Sequence, residues 1–192
     1  MKSLSNSHDD PQPVNIQTSI PLIDDILGEW AAAIGPDFEG YRNHVYRVVH
    51  FCLALHPYSA DERRRVIIAA CFHDLGIWSD RTVDYLPPSE ARVRDYLARH
   101  GLGAWETEIV LMIETHHKLR RYRDPRYPLV EAFRRADLVD VSLGVVPGGL
   151  DRRYIREVRR AFPNAGFHWR LARLLVEGLR TRPLNPAPFF KW

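Results

Sequence analysis

Five positions carry side chains that could do chemistry from places where the hydrophobic pattern has no use for them. His44 lies four residues before Val48 and eight before Cys52, on the apolar side of a helical run. His73 and Asp74 are adjacent, at the end of the apolar segment 66–72. His116 is four residues after Met112, and Asp137 is four after Phe133. An imidazole or carboxylate on a buried face is costly unless it is paired, hydrogen-bonded or bound to a metal. Singly, each has an ordinary explanation: an inward histidine can be a satisfied core residue, Asp74 a helix-end cap, Asp137 the partner of an arginine. Together they turn imidazoles and carboxylates inward from four helices. Two histidines and two carboxylates converging in this way would form a mixed nitrogen–oxygen site for one divalent transition metal, with Fe, Mn, Zn, Ni and Co all acceptable. A site with few protein ligands keeps places for water and substrate, which is the catalytic rather than the structural arrangement. An ion held there would acidify a bound water and polarise a phosphoryl or carbonyl oxygen.

The elements that must position these groups read as helices throughout, with no sustained alternation of period two. Ser19-Ile20-Pro21 opens a first helix, whose apolar face is Leu22, Ile23, Ile26, Leu27 and Trp30 and which Gly35-Pro36 ends. A second covers about 39–55. Ser59 and Glu62 form a capping box for a third, which becomes wholly apolar at 66–72 and is expected to be central, with Gly76 terminating it. The stretch 77–88 is too broken for a long element. Helices follow at about 89–100, 104–119, 129–143, 151–161 and 167–180, most of them separated by glycine-containing turns. The expected architecture is all-α, a single compact bundle of about six to eight helices over residues 19–183. Residues 1–18 read as a flexible tail, and 184–192, with its two prolines, as an extended strap.

Composition narrows the function classes. The chain has 192 residues, enough for one domain, with 45% hydrophobic and 27% charged residues, so it can bury a real core. No run approaches the roughly 18 apolar residues of a membrane span, and the polar first residues lack the apolar core of a signal peptide. Cys52 and Cys71 sit in apolar patterns without CxxC spacing and read as buried reduced thiols, which points to the cytoplasm. The formal net charge of +3 suits a small anionic substrate better than a polyanion. Nucleic acid and membrane are therefore disfavoured as partners, and a homodimer is left open.

His44, the pair His73-Asp74 within Cys-Phe-His-Asp-Leu-Gly, and Asp137 within Arg-Ala-Asp-Leu-Val-Asp follow the order H…HD…D. In that order and helical setting the chain resembles the HD-domain superfamily of metal-dependent phosphohydrolases over about residues 40–143. The resemblance implies an all-helical fold, a metal held by His44, His73, Asp74 and Asp137, and hydrolysis of a small phosphorylated metabolite or nucleotide. Asp74 would also contact the attacking water. Two-metal members carry extra histidines between the HD pair and the last Asp. Here Leu86 stands near where the first would fall and His116-His117 supplies only the later element, so one metal is expected and the diiron oxygenase branch is disfavoured. His116 or His117 would serve as general acid or as donor to substrate oxygens. The superfamily also includes hydratases of small non-phosphate molecules, which is the alternative enzyme reading.

Lys118 and Arg120 begin a basic run beside this pair and are the candidate substrate-binding cations. That run and a second, on 152–160, also allow a non-catalytic module binding protein or RNA, although both are read first as a solvated helix face and loop. The loop bearing Trp78, Asp80, Thr82 and Asp84 is a candidate pocket rim. The aromatic turn 164–169, with His168, could close the pocket but is read first as a helix N-cap.

Overall fold

The computed structural model describes residues 16–55, 57–185 and 188, and among them every regular element is helical. The elements are α1 (Pro21–Ile34), α2 (Phe38–Leu53), α3 (Ala60–Phe72), α4 (Gly76–Ser79), α5 (Leu86–Arg99), α6 (Glu106–Thr115), α7 (Pro128–Val141), α8 (Arg152–Ala161) and α9 (Phe167–Thr181), with short 3-10 turns at 35–37 and 103–105. This is the all-α single bundle that the hydrophobic periodicity anticipates. No helix among the described residues is long and apolar enough to cross a membrane. Cys52 and Cys71 are buried and not joined to each other. His8, His56 and nearly all of the tail and strap lie outside the described residues. Ile16 and Gln17 do not behave as a loose tail: Ile16 packs on the core and the Gln17 carbonyl bonds the His50 ring at 3.0 Å.

The core is laid down by α2, α3 and α7. Residues 66–72 of α3 are all buried, as expected of a central helix. The capping box is present, with the Glu62 amide donating to Ser59 Oγ at 3.2 Å and the Ser59 amide donating to the Glu62 carboxylate at 2.8 Å. Helix α2 packs most extensively on α7, and α6 joins α7 to α3 and α5.

Three boundaries differ from the sequence pattern, each for a local reason. Helix α5 begins at Leu86 rather than 89, because Pro87-Pro88 falls in its first turn, where a missing N–H costs nothing. Gly76 does not terminate α3; it begins α4. A Cβ there would run into the carbonyl of Tyr85 and the Ser89 hydroxyl, so glycine is what lets the start of α5 lie against the end of α3. Helix α6 stops at Thr115, four residues early. The Thr115 hydroxyl donates to the Leu111 carbonyl at 2.6 Å, and the His116 ring donates at 2.7 Å to the Ile113 carbonyl, which the His117 amide would take in a continuing helix.

Candidate metal centre

The inward polar residues meet at one place, where α2, α7, the end of α3 and the end of α6 converge. His44, His73, Asp74, His116 and Asp137 are each no more than 2% exposed. His44 Nε2 and His73 Nε2 are 2.9 Å apart. His44 Nε2 lies 3.7 Å from Asp74 Oδ2 and 3.6 Å from Asp137 Oδ1; His73 Nε2 lies 3.5 and 3.7 Å from the same two oxygens. His116 Nε2 is 3.4 Å from Asp74 Oδ1, and His117 Nδ1 is 3.8 Å from Asp137 Oδ2.

Each of the three fully buried imidazoles has its other nitrogen engaged. His44 Nδ1 donates to Asp140 Oδ2 at 2.6 Å, His73 Nδ1 to the Ala70 carbonyl at 2.8 Å, and His116 Nδ1 to the Ile113 carbonyl at 2.7 Å. Those bonds set the tautomers and aim three Nε2 atoms into the cluster, the outer-shell arrangement of metal-ligating histidines. Phe167, at the start of α9, stacks on the His44 ring at 3.9 Å between centroids and fixes its plane from behind.

The residues fit a cation. Metal–ligand bonds of about 2.0–2.2 Å bring neighbouring ligand atoms to roughly 3.0–3.5 Å from one another, close to the spacings seen here. Asp74 Oδ1, Asp137 Oδ1 and His116 Nε2 are buried with no hydrogen-bond partner, a costly state that a cation would relieve. Three overlapping triads have metal-ligand spacing: His44, His73 and Asp137; His73, Asp74 and His116; and His116, His117 and Asp137. The four residues that the HD resemblance names as ligands are thus brought together, with His116 and His117 against the same carboxylates.

The electrostatics are those of a crowded, dehydrated pair of carboxylates. Burial opposes the charge on Asp74, but the His73, His116 and His44 imidazoles outweigh it and hold that carboxyl well below its usual range. Asp137 is lowered against burial by the neighbouring His73, His116 and His117 imidazoles. In return, Asp74 and Asp137 overcome the burial penalty on His73 and raise it to about 9. A divalent ion competes with protons for these same nitrogens and would sit between the two facing Nε2 atoms. His117 goes the other way: burial and the neighbouring His116 lower it to about 3, so it is neutral. Tyr85, whose phenol burial pushes well above its ordinary value, keeps its proton and donates to His117 Nε2 at 2.6 Å.

A cavity of about 200 Å³ opens directly against this cluster. Its floor is Tyr85, His116, His117 and Asp137, and its walls come from Lys118, Leu119 and Arg134, from α7 and from α9. Lys118, the candidate substrate-binding cation, lines it. Arg120 is exposed and does not line it; the arginine in the wall is Arg134. The rim expected from 78–84 is elsewhere: none of Trp78, Asp80, Thr82 or Asp84 lines this cavity, and Trp78 donates instead to Asp37 at 2.9 Å. The turn 164–169 backs the site rather than closing it. Gly166, left-handed at φ 88°, starts α9, and Asn164 accepts from the His168 amide. His168 Nε2 donates to the Asp140 carbonyl at 3.1 Å, tying α9 to α7.

Two participants are missed by the sequence pattern. Asp140 accepts from His44 and, through both oxygens, from Arg47 Nε at 2.5 Å and Nη2 at 2.8 Å. The signal was available: Asp140 follows Asp137 by three and Arg47 follows His44 by three, so each repeats an inward polar residue one turn on. Tyr85 had no such signal, because it sits just before α5 and is delivered to the cluster by the contact at Gly76. No family model, no curated protein and no solved structure was found to match this chain.

Proposed function

We propose that the protein is a metal-dependent hydrolase of HD type, holding one divalent transition metal on His44, His73, Asp74 and Asp137. The observation that carries this reading is the set of partnerless buried atoms, Asp74 Oδ1, Asp137 Oδ1 and His116 Nε2, around two facing imidazole nitrogens. The bound ion supplies an acidified water and polarises the bond to be cut. Asp74, whose Oδ1 is 3.4 Å from His116 Nε2, orients the water. Tyr85 holds His117 Nε2 and so fixes this neutral ring at the cavity floor, with Nδ1 toward Asp137, where it orients the substrate's polar group. Lys118 attracts an anionic group at the cavity edge.

The leading substrate is a small phosphorylated molecule. A second reading, hydration or hydrolysis of a small non-phosphate molecule, is favoured by one observation. Arg134 spends its guanidinium on Glu131, at 2.8 Å through both Nε and Nη2, and on the Lys118 carbonyl, so its charge is not free for a phosphate. Metal content of the purified protein, and uptake of Fe, Mn, Zn, Ni or Co after chelation, tests the common core of both readings. About one equivalent per chain is expected, and no uptake of any of these ions overturns both. Phosphate release from phosphomonoesters against ammonia release from nitriles and amides then separates them.

A further inference from the structure

Apart from Lys118 and Arg134, the walls of the cavity at the cluster are apolar. Leu138 and Val141 of α7, Leu171, Leu174 and Leu175 of α9, and Leu119 face one another across it. Three of these leucines are well exposed at its mouth: Leu119 at 60%, Leu175 at 41% and Leu138 at 38%. Apolar side chains left uncovered beside a cluster of buried ionisable groups are the usual form of a small-molecule site, in which the walls hold the body of the ligand and a few polar groups fix its reacting end.

Resting on the hydrolase reading, we propose that the substrate carries a compact apolar body, aliphatic or aromatic, which fills this leucine-walled cavity while its polar group reaches the cluster. The volume is adequate: a leucine- and phenylalanine-lined cavity of about 150 Å³ accepts benzene, and this one is about 200 Å³. A sugar or nucleoside does not suit the same space. Its hydroxyls would be buried against methyl groups, with Arg134 already engaged and Tyr85 committed to His117. The choice narrows the substrate from phosphorylated metabolites at large to esters or related derivatives of small apolar alcohols or acids.

The test uses a homologous series, methyl- to n-butylphosphonate, titrated calorimetrically into the Mn(II)-loaded protein. Each added methylene is expected to tighten binding about fourfold, or roughly sixty-fold over the series. In a Leu138→Gln/Leu175→Gln variant, altered at two exposed wall positions, the butyl-to-methyl ratio is expected to fall below about tenfold. Methyl-resolved NMR of the metal-free protein with benzene supplies a readout independent of the metal, and the signals of Leu138, Leu171, Leu174 and Leu175 should shift. If no metal binds but benzene moves these methyls, the hydrolase reading fails and the apolar site stands. A series flat in chain length, or wall methyls that ignore benzene and shift only with protein concentration as a second copy covers them, overturns the proposal.

Discussion

Replacing Asp140 with asparagine separates the metal reading from a merely structural one. The Asp140 carboxylate is fully buried and accepts from three donors: Arg47 Nε on Oδ1, and Arg47 Nη2 with His44 Nδ1 on Oδ2. Burial alone would raise its pKa, and the hydrogen bonds from His44 and Arg47 reverse that and hold it far below the ordinary carboxylate range. An amide of the same shape offers one oxygen and one NH2. With the oxygen placed where Oδ2 stood, His44 and Arg47 Nη2 keep an acceptor while the NH2 meets the Nε–H of Arg47 head-on. The opposite orientation leaves two donors facing NH2 and is worse. The D140N substitution therefore keeps the His44 tautomer but removes the negative charge behind it.

Loss of such an outer carboxylate typically weakens metal binding about 10- to 100-fold, or roughly 1.4–2.7 kcal/mol. Stability falls as well, by about 3–5 kcal/mol, because the buried Arg47 guanidinium loses its counter-charge. Arg47→Gln is the control: it strands a buried charge to a comparable extent but leaves the bond between Asp140 and His44 in place. Competition against a chromophoric chelator should show weakened metal binding in D140N and near-parental binding in R47Q, while chemical denaturation shows both destabilised. Equal metal affinity in D140N and the parent, or an equal loss in the two variants, would refute the role given to Asp140.

Removing a ligand is the harsher perturbation: His73→Ala and Asp137→Ala should each abolish stoichiometric metal uptake measured by elemental analysis, together with whatever hydrolytic activity the loaded parent shows. Gly76→Ala places a methyl against the Tyr85 carbonyl and should cost roughly 1–3 kcal/mol in denaturant unfolding, with a chemical-shift change at His117 as Tyr85 is displaced. Burial lowers the pKa of His50 below its ordinary value of about 6.5, so the unfolded chain takes up a proton before the folded one does. Its contribution is full above that value and is lost as pH falls through the depressed folded pKa, so His50→Gln should flatten the acid side of the stability profile measured by denaturation between about pH 7.5 and 5.5.

The main helices and most of the cluster were legible because both follow from one periodicity. His44, His73, Asp74, His116 and Asp137 stand out as polar residues at core positions of otherwise apolar helices, and a wholly helical bundle has no other place for them. What escaped depends on contacts between distant segments. Tyr85 reaches His117 only because Gly76 lets α5 start against the end of α3. The end of α6 at Thr115 depends on side-chain bonds that compete with the helix and leave no trace in hydrophobic spacing. The cavity wall on α9 was hidden for the converse reason: Leu171, Leu174 and Leu175 form an ordinary apolar stripe, and only the placement of that stripe shows that part of it faces a space.

The cluster also explains why α2 and α7 are joined as they are. Arg47 continues past Asp140 to donate from Nη1 to the carbonyls of Phe162 and Pro163, at 3.0 and 3.2 Å, and Asn43 Nδ2 donates to the second at 2.9 Å. The polar face of α2 thus holds His44 through Asp140 and, one turn on, anchors the segment that brings Phe167 onto the His44 ring. Gly40 completes the approach, since a Cβ there would meet the Ala165 carbonyl at 2.7 Å. A packed hydrophobic interface between α2 and α7 would be at least as stable as this one, because buried ion pairs seldom repay their desolvation. A single core that accepts an arginine, a third carboxylate and a glycine contact to orient one imidazole has the form of a site whose geometry matters more than its stability.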